Sequence, residues 1–119
     1  MTQPDRAELP IFTLWIGFLE WLLPTTEKFP KRARFTLANR IDNLALDIAE
    51  ELVEARYTRD KTAILRRINL RLERLRVLLR LSYRLKYLSH SGYEHAAKSV
   101  NEAGRMLGGW LRERREAEG

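Results

Sequence analysis

Seven arginines, Arg66, Arg67, Arg71, Arg74, Arg76, Arg80 and Arg84, are the residues whose type and spacing most clearly carry chemistry. Each offers a planar fork of donors that stays charged and grips phosphate or carboxylate in pairs of hydrogen bonds. Projected at 100° per residue, Arg66, Arg76, Arg80, Arg84 and Lys86 share an arc of about 160°, and Arg67, Arg71 and Arg74 form a second cluster. Segment 59–88 holds ten basic side chains against two acidic ones, a larger surplus than the +6 of the whole chain. Segment 36–58 holds two basic against five acidic, so the charge is polarised rather than spread. This pattern suits phosphate backbone read by charge and shape, because no zinc finger, RNA-recognition motif or aromatic stacking platform is visible. Alternatively, the arginines solvate an open face and pair with Glu50, Glu51 and Glu54 of a neighbouring helix.

Catalytic parts are scarce. His90, Glu94 and His95 read H-x-x-x-E-H, one residue off the helical zinc spacings, so the expected roles are a loop histidine, a capping glutamate and an outward histidine. The chain has no Cys, which removes thiol nucleophiles, Cys-zinc sites and disulfides and points to a reducing cytoplasm. Glu50 and Glu54 could act as an acid–base pair only inside a pocket, and their spacing puts them on an open helix face. No glycine-rich phosphate loop follows a strand, since no strand pattern exists. No metal, no cofactor and no enzymatic activity are therefore expected.

The arginines need a rigid carrier, and the periodicity supplies one. Turn-forming residues cluster at three interior places and nothing alternates, so the fold class is all-α. Four helices are expected, at about 8–28, 32–56, 60–88 and 91–115. Pro10 sits in the first turn of the first helix, Pro24 should kink it, and Phe29-Pro30 closes it. Leu37, Ile41, Leu44, Ile48 and Leu52 mark the inner face of the second. Asp60 is a candidate N-cap for the third, and Ser91-Gly92-Tyr93-Glu94 fits a capping box for the fourth. Short loops make an up-down-up-down four-helix bundle the simplest arrangement, with tails at 1–8 and 116–119 around a 9–115 domain. One domain is what 119 residues allow.

Two helices carry more apolar surface than one core uses. Positions 11–23 are apolar nearly all round, interrupted by Thr13, Gly17 and Glu20. The third helix has one seam of Leu65, Ile68, Leu72, Leu75 and Leu79 and a second of Val77, Leu78, Leu81, Leu85 and Leu88. Such surplus is expected to be covered by further copies, giving a homo-oligomer. Gly104, Gly108 and Gly109 cost about 1 kcal/mol each inside a helix and so need a reason. That reason is either packing against Trp15 or Trp21 within the chain or contact between subunits. The apolar run 9–23 carries Glu20 and is followed by Pro24, Thr25, Thr26 and Glu27, which fits neither a signal peptide nor a spanning helix; a buried helix is expected.

The strings Phe29-Pro30-Lys31 with Arg34-Phe35-Thr36-Leu37, Glu54-Ala55-Arg56-Tyr57, Arg71-Leu72-Glu73-Arg74-Leu75-Arg76 running into Leu78-Leu79-Arg80-Leu81, and Gly104-Arg105-Met106-Leu107-Gly108-Gly109-Trp110 resemble the Avd accessory variability determinants of diversity-generating retroelements. That family belongs to a wider four-helix-bundle group with the ribosomal intervening-sequence proteins. The likeness covers about 9–112, and its last string is the most specific. It implies a positively charged pentameric barrel of four-helix bundles that binds the element's reverse transcriptase and nucleic acid, RNA or DNA. Such a protein supports mutagenic cDNA synthesis and retrohoming without being the polymerase. Phosphate or polymerase contact carries over only to the seven arginines. The alternative is a structural four-helix bundle associated with ribosomes or another protein partner.

Overall fold

In the computed structural model, which describes residues 8–118, α1 spans Glu8–Glu27, α2 Asn39–Tyr57, α3 Lys61–Arg84 and α4 His90–Glu118. The tail expected over 1–8 lies, apart from Glu8, outside the described residues, and α4 runs through most of the tail expected at 116–119. Among the described residues there are four α-helices and no strand. Each helix packs on its sequence neighbours, and α1 closes the ring against α4. The extents are 47 × 24 × 20 Å. Leu65, Ile68, Leu72, Leu75 and Leu79 of α3 meet Trp15 and Leu22 of α1, Ile41 and Ile48 of α2, and Leu107 and Trp110 of α4 in one core. The indole N–H of Trp15 donates to the Ala45 carbonyl at 2.8 Å, so this fully buried ring ties α1 to α2 without an unpaired polar atom.

α1 continues through Pro24, where the Thr25 hydroxyl donates to the Trp21 carbonyl at 2.7 Å. The next residue, Thr26, is buried and its hydroxyl donates to Asp42 of α2 at 2.7 Å. Burial raises the Asp42 carboxyl above its ordinary value, and the bond from Thr26 opposes this without cancelling it. The folded chain therefore holds that proton more tightly than the unfolded chain. Stability falls as pH climbs from the ordinary aspartate value through the folded one, and the penalty is complete at neutrality. Asp42→Asn keeps an acceptor for Thr26, so it should unfold at higher urea than the parent at pH 7. The gap should close in acid, where both side chains are neutral.

The second helix departs from its expected start at 32. Lys31–Ala33 is a 3₁₀ turn and Arg34–Ala38 a π turn, and only from Asn39 is the helix regular. Counted back from buried Ile41 at α spacing, inward places fall on Leu37 and then Arg34. The wider π turn inserts one residue, so that Ala33 faces inward and Arg34 stays in water.

Three cap assignments also change. Asp60 occupies the N-cap place of α3 but makes no capping bond. Lys61 instead closes the loop, its ammonium donating to the carbonyls of Ala55, Arg56 and Thr58. α3 stops at Arg84 rather than near 88, because Lys86 has φ 67°. Its N–H donates to the Tyr83 carbonyl and that of Tyr87 to Ser82, which is a Schellman ending with lysine at the left-handed position. Leu88 consequently leaves the outer seam and is buried, and Lys86 leaves the basic arc. The cap of α4 is Ser89, not Ser91: its hydroxyl accepts the Gly92 N–H at 3.0 Å, so the cap moves two residues upstream, and with glycine at the third position the expected capping box does not form. A Cβ on Gly92 would stand 3.1 Å from both Leu88 Cδ1 and Ser89 Oγ. Lys86→Gly should stabilise the fold by about 0.5–1 kcal/mol, since glycine escapes the left-handed penalty and returns part of that gain as unfolded-state entropy. A higher urea midpoint at unchanged slope is the check.

Candidate functional site

α3 is held along both flanks, and its flanks divide the seven arginines. On the α2 side, Arg67 pairs with Glu51, its Nε 2.7 Å from a carboxylate oxygen, and its far nitrogen approaches Glu54 at 4.0 Å. Arg71 donates to Glu51 as well, and lies 3.4 Å from Asp47. Glu51 is buried, so these two cations serve the α2–α3 contact. On the α4 side, Arg76 pairs with Glu73 and donates to Asn101 at 3.2 Å. Of the acids expected to pair, Glu51 and Glu54 do so, but only with Arg67 and Arg71; Asp47, not Glu50, is the third partner.

Arg66, Arg74, Arg80 and Arg84 are exposed and meet no carboxylate within 4.0 Å among the described residues. Arg66, Arg80 and Arg84 share a narrow arc of about 40° on the outward face. Beside them runs an uncovered stripe of Leu70, Val77 and Leu81, of which Val77 is 65% exposed. Arg74 borders the other side of the stripe. There it faces a groove of about 550 Å³ between α2 and α3, walled also by Arg40, Leu44, Asp47 and Val77. The structure therefore splits the two sequence clusters differently: an outward set of four, and an inner set, Arg67, Arg71 and Arg76, whose guanidinium groups are already engaged.

The second apolar seam is largely exposed in the single chain, through Val77, Leu81 and Leu85, whereas α1 leaves only Ile16 and Leu23 markedly exposed among its described large apolar side chains. The glycines do not abut Trp15 or Trp21. A Cβ on Gly104 would come within 2.8 Å of Arg76 Nη2, so this glycine gives the guanidinium room to cross α4. Nothing lies within 4 Å of a Cβ on Gly108, and only the end of Arg112 lies that near one on Gly109. Gly108→Ala should therefore raise the stability of the lone chain by about 1 kcal/mol, the helix-propensity difference. Measured at fixed dilute concentration, a loss of stability instead would mean that something packs there.

Two features escaped the sequence. Arg40 joins the α2–α3 groove although its own segment is acidic overall. Tyr83, at the end of α3, stacks on Tyr93 of α4 with ring centroids 4.8 Å apart and planes at 8°. Its hydroxyl is 3.2 Å from His90 Nδ1. Ten residues and a left-handed turn separate the two tyrosines, so no periodicity announces the pair. His90 and Glu94 approach to 3.8 Å, while His95 turns the other way onto Trp21, 4.5 Å between centroids. No group of three or more potential metal ligands forms among the described residues. No helix of the described residues is long and apolar enough to cross a membrane.

A family model described as bAvd-like matches residues 15–114. Neither the curated proteins nor the solved structures contain a match to the chain. The matched span runs from the buried Trp15 of α1 to the last turns of α4 and includes all seven arginines. On that match over most of its length, the chain belongs to the bAvd-like family, whose members are accessory rather than catalytic proteins.

Proposed function

We propose that this chain is the accessory subunit of a diversity-generating retroelement, binding the reverse transcriptase and RNA or DNA and supporting mutagenic cDNA synthesis and retrohoming. The observation that carries this reading is the outward set Arg66, Arg74, Arg80 and Arg84, unneutralised on a chain of the bAvd-like family. Nucleic acid meets these cations through its phosphates, without sequence preference. The exposed Leu70, Val77 and Leu81 between them supply the apolar contact for protein, both the reverse transcriptase and further copies of the chain. A homo-oligomer, a pentamer by family likeness, gathers the outward arginines of several copies into one field and raises local attraction for polyanions. The site of action in this reading is the cytoplasm, and no cofactor is needed.

The test is a titration of fluorescently labelled single-stranded RNA, DNA and duplex at about 50–200 mM salt, with a pull-down of the element's reverse transcriptase alongside. Binding that weakens steeply with salt, together with retention of the polymerase, supports the proposal. An oligomer that holds neither at about 150 mM salt overturns it in favour of a structural bundle.

A further inference from the structure

Where α3 meets α4, two depressions adjoin. One, of about 270 Å³, is walled by Arg76, Arg80, Tyr93 and Asn101, and the other, of about 550 Å³, by Tyr83, His90, Glu94, Lys98 and Arg105. Tyr93, Ala97 and Asn101 line both, so the two lie side by side as a furrow along α4. Its aromatic wall is the stacked pair Tyr83–Tyr93, with the His90 ring 5.8 Å from Tyr83. Arg80 and Lys98 stand at the rim without a carboxylate partner within 4.0 Å among the described residues, whereas Arg105 is held by Glu102.

We infer that this furrow takes an unpaired nucleobase of a single strand, packed against the Tyr83–Tyr93 pair beside His90, with the flanking phosphates on Arg80 and Lys98. It rests on the nucleic-acid reading above and adds to it a place for a base. The mixture of charges argues for a base rather than a phosphate inside. Glu94 and Glu102 repel phosphate but accept hydrogen bonds from base amino and imino groups, and Asn101 can both donate and accept. Every base has a π face, so such a platform is tolerant of sequence, and a duplex, whose bases are already stacked, cannot use it. The outward arginines of α3 act on either form; the furrow distinguishes them.

The experiment compares two labelled strands of about twelve nucleotides, oligothymidine and the same backbone with abasic sites throughout, titrated with the full chain at about 150 mM salt. Charge is identical, so only the bases differ. The base-bearing strand should bind about five- to a hundredfold more tightly. Tyr93→Leu and Tyr83→Leu should bring that ratio toward one while leaving the salt slope in place, and Tyr93→Phe, which keeps the ring, should preserve it. Equal binding of the two strands by the parent chain overturns the furrow and leaves the phosphate surface standing. Loss of binding by both strands overturns the two together. Should the leucine variants fail to fold, irradiation of a 5-iodouracil strand bound to the parent chain decides: adducts at Tyr83, His90 or Tyr93 are required, and adducts only elsewhere overturn the inference.

Discussion

Arg66→Ala, Arg80→Ala and Arg84→Ala combined should lower the log–log salt slope of duplex binding by about 2.7, and of single-strand binding by about 2. Each lost phosphate contact removes close to one released counterion, so the effect reads out as a slope as well as an affinity. At about 150 mM salt a slope change of this size corresponds to roughly a hundredfold weaker binding, with the difference vanishing toward about 1 M. The three residues are suited to the test because they are exposed and hold no carboxylate within 4.0 Å among the described residues, so the fold loses little with them. Surface substitutions of this kind stay within about 0.5 kcal/mol. Arg71→Ala is the matched control. Its guanidinium is shared between Glu51 and Asp47, so it has little charge left for phosphate, and the slope should stay near that of the parent. An unchanged slope in the triple variant would move the nucleic-acid contact away from this face.

Helix number, order and the inner seam of α3 were legible in the sequence because they depend on a pattern repeated over many residues. Leu65, Ile68, Leu72, Leu75 and Leu79 are all buried, as their spacing requires. What was not legible depends on single events. The π turn at Arg34–Ala38 shifts register by one residue, and nothing in its composition announces it. Lys86 takes a left-handed conformation that glycine or asparagine would have signalled, so α3 reads four residues too long and Lys86 is drawn into an arc it does not join. The division of the arginines was half visible. Helical projection put Arg67, Arg71 and Arg74 together by angle, yet two of them bend toward α2 because Glu51 sits on the facing side of that helix, which only the packing of α2 against α3 decides. The Tyr83–Tyr93 stack is tertiary in the same sense: each tyrosine looks unremarkable on its own helix, and the turn at Lys86 brings them face to face.

The inner arginines lead to the largest expected loss of stability. Glu51 is 10% exposed at its side chain, and its two oxygens receive Arg67 and Arg71. Removing both partners leaves a desolvated carboxylate between α2 and α3, and breaking a buried pair in this way costs about 3–5 kcal/mol. Arg67→Ala with Arg71→Ala should sit at the lower end, about 3 kcal/mol, because Arg67 is half-exposed and water can enter where it stood. That is a large share of the roughly 5–15 kcal/mol that holds a domain of this size together. The cause is the stranded charge rather than lost packing, and a third change separates the two. Glu51→Met in the double variant removes the carboxylate and fills its place, and replacing a whole buried ion pair with apolar side chains is often close to neutral. Urea unfolding at one fixed protein concentration should therefore show a deep loss in the double variant and recovery to within about 1 kcal/mol in the triple. If Glu51→Met recovers nothing, the arginine stems and not their charges hold α2 to α3. The recovered variant is also the sharper probe of function. It has a sound fold and lacks two of the seven arginines, so a salt slope equal to the parent's would take Arg67 and Arg71 out of the phosphate contacts and leave them with the architecture.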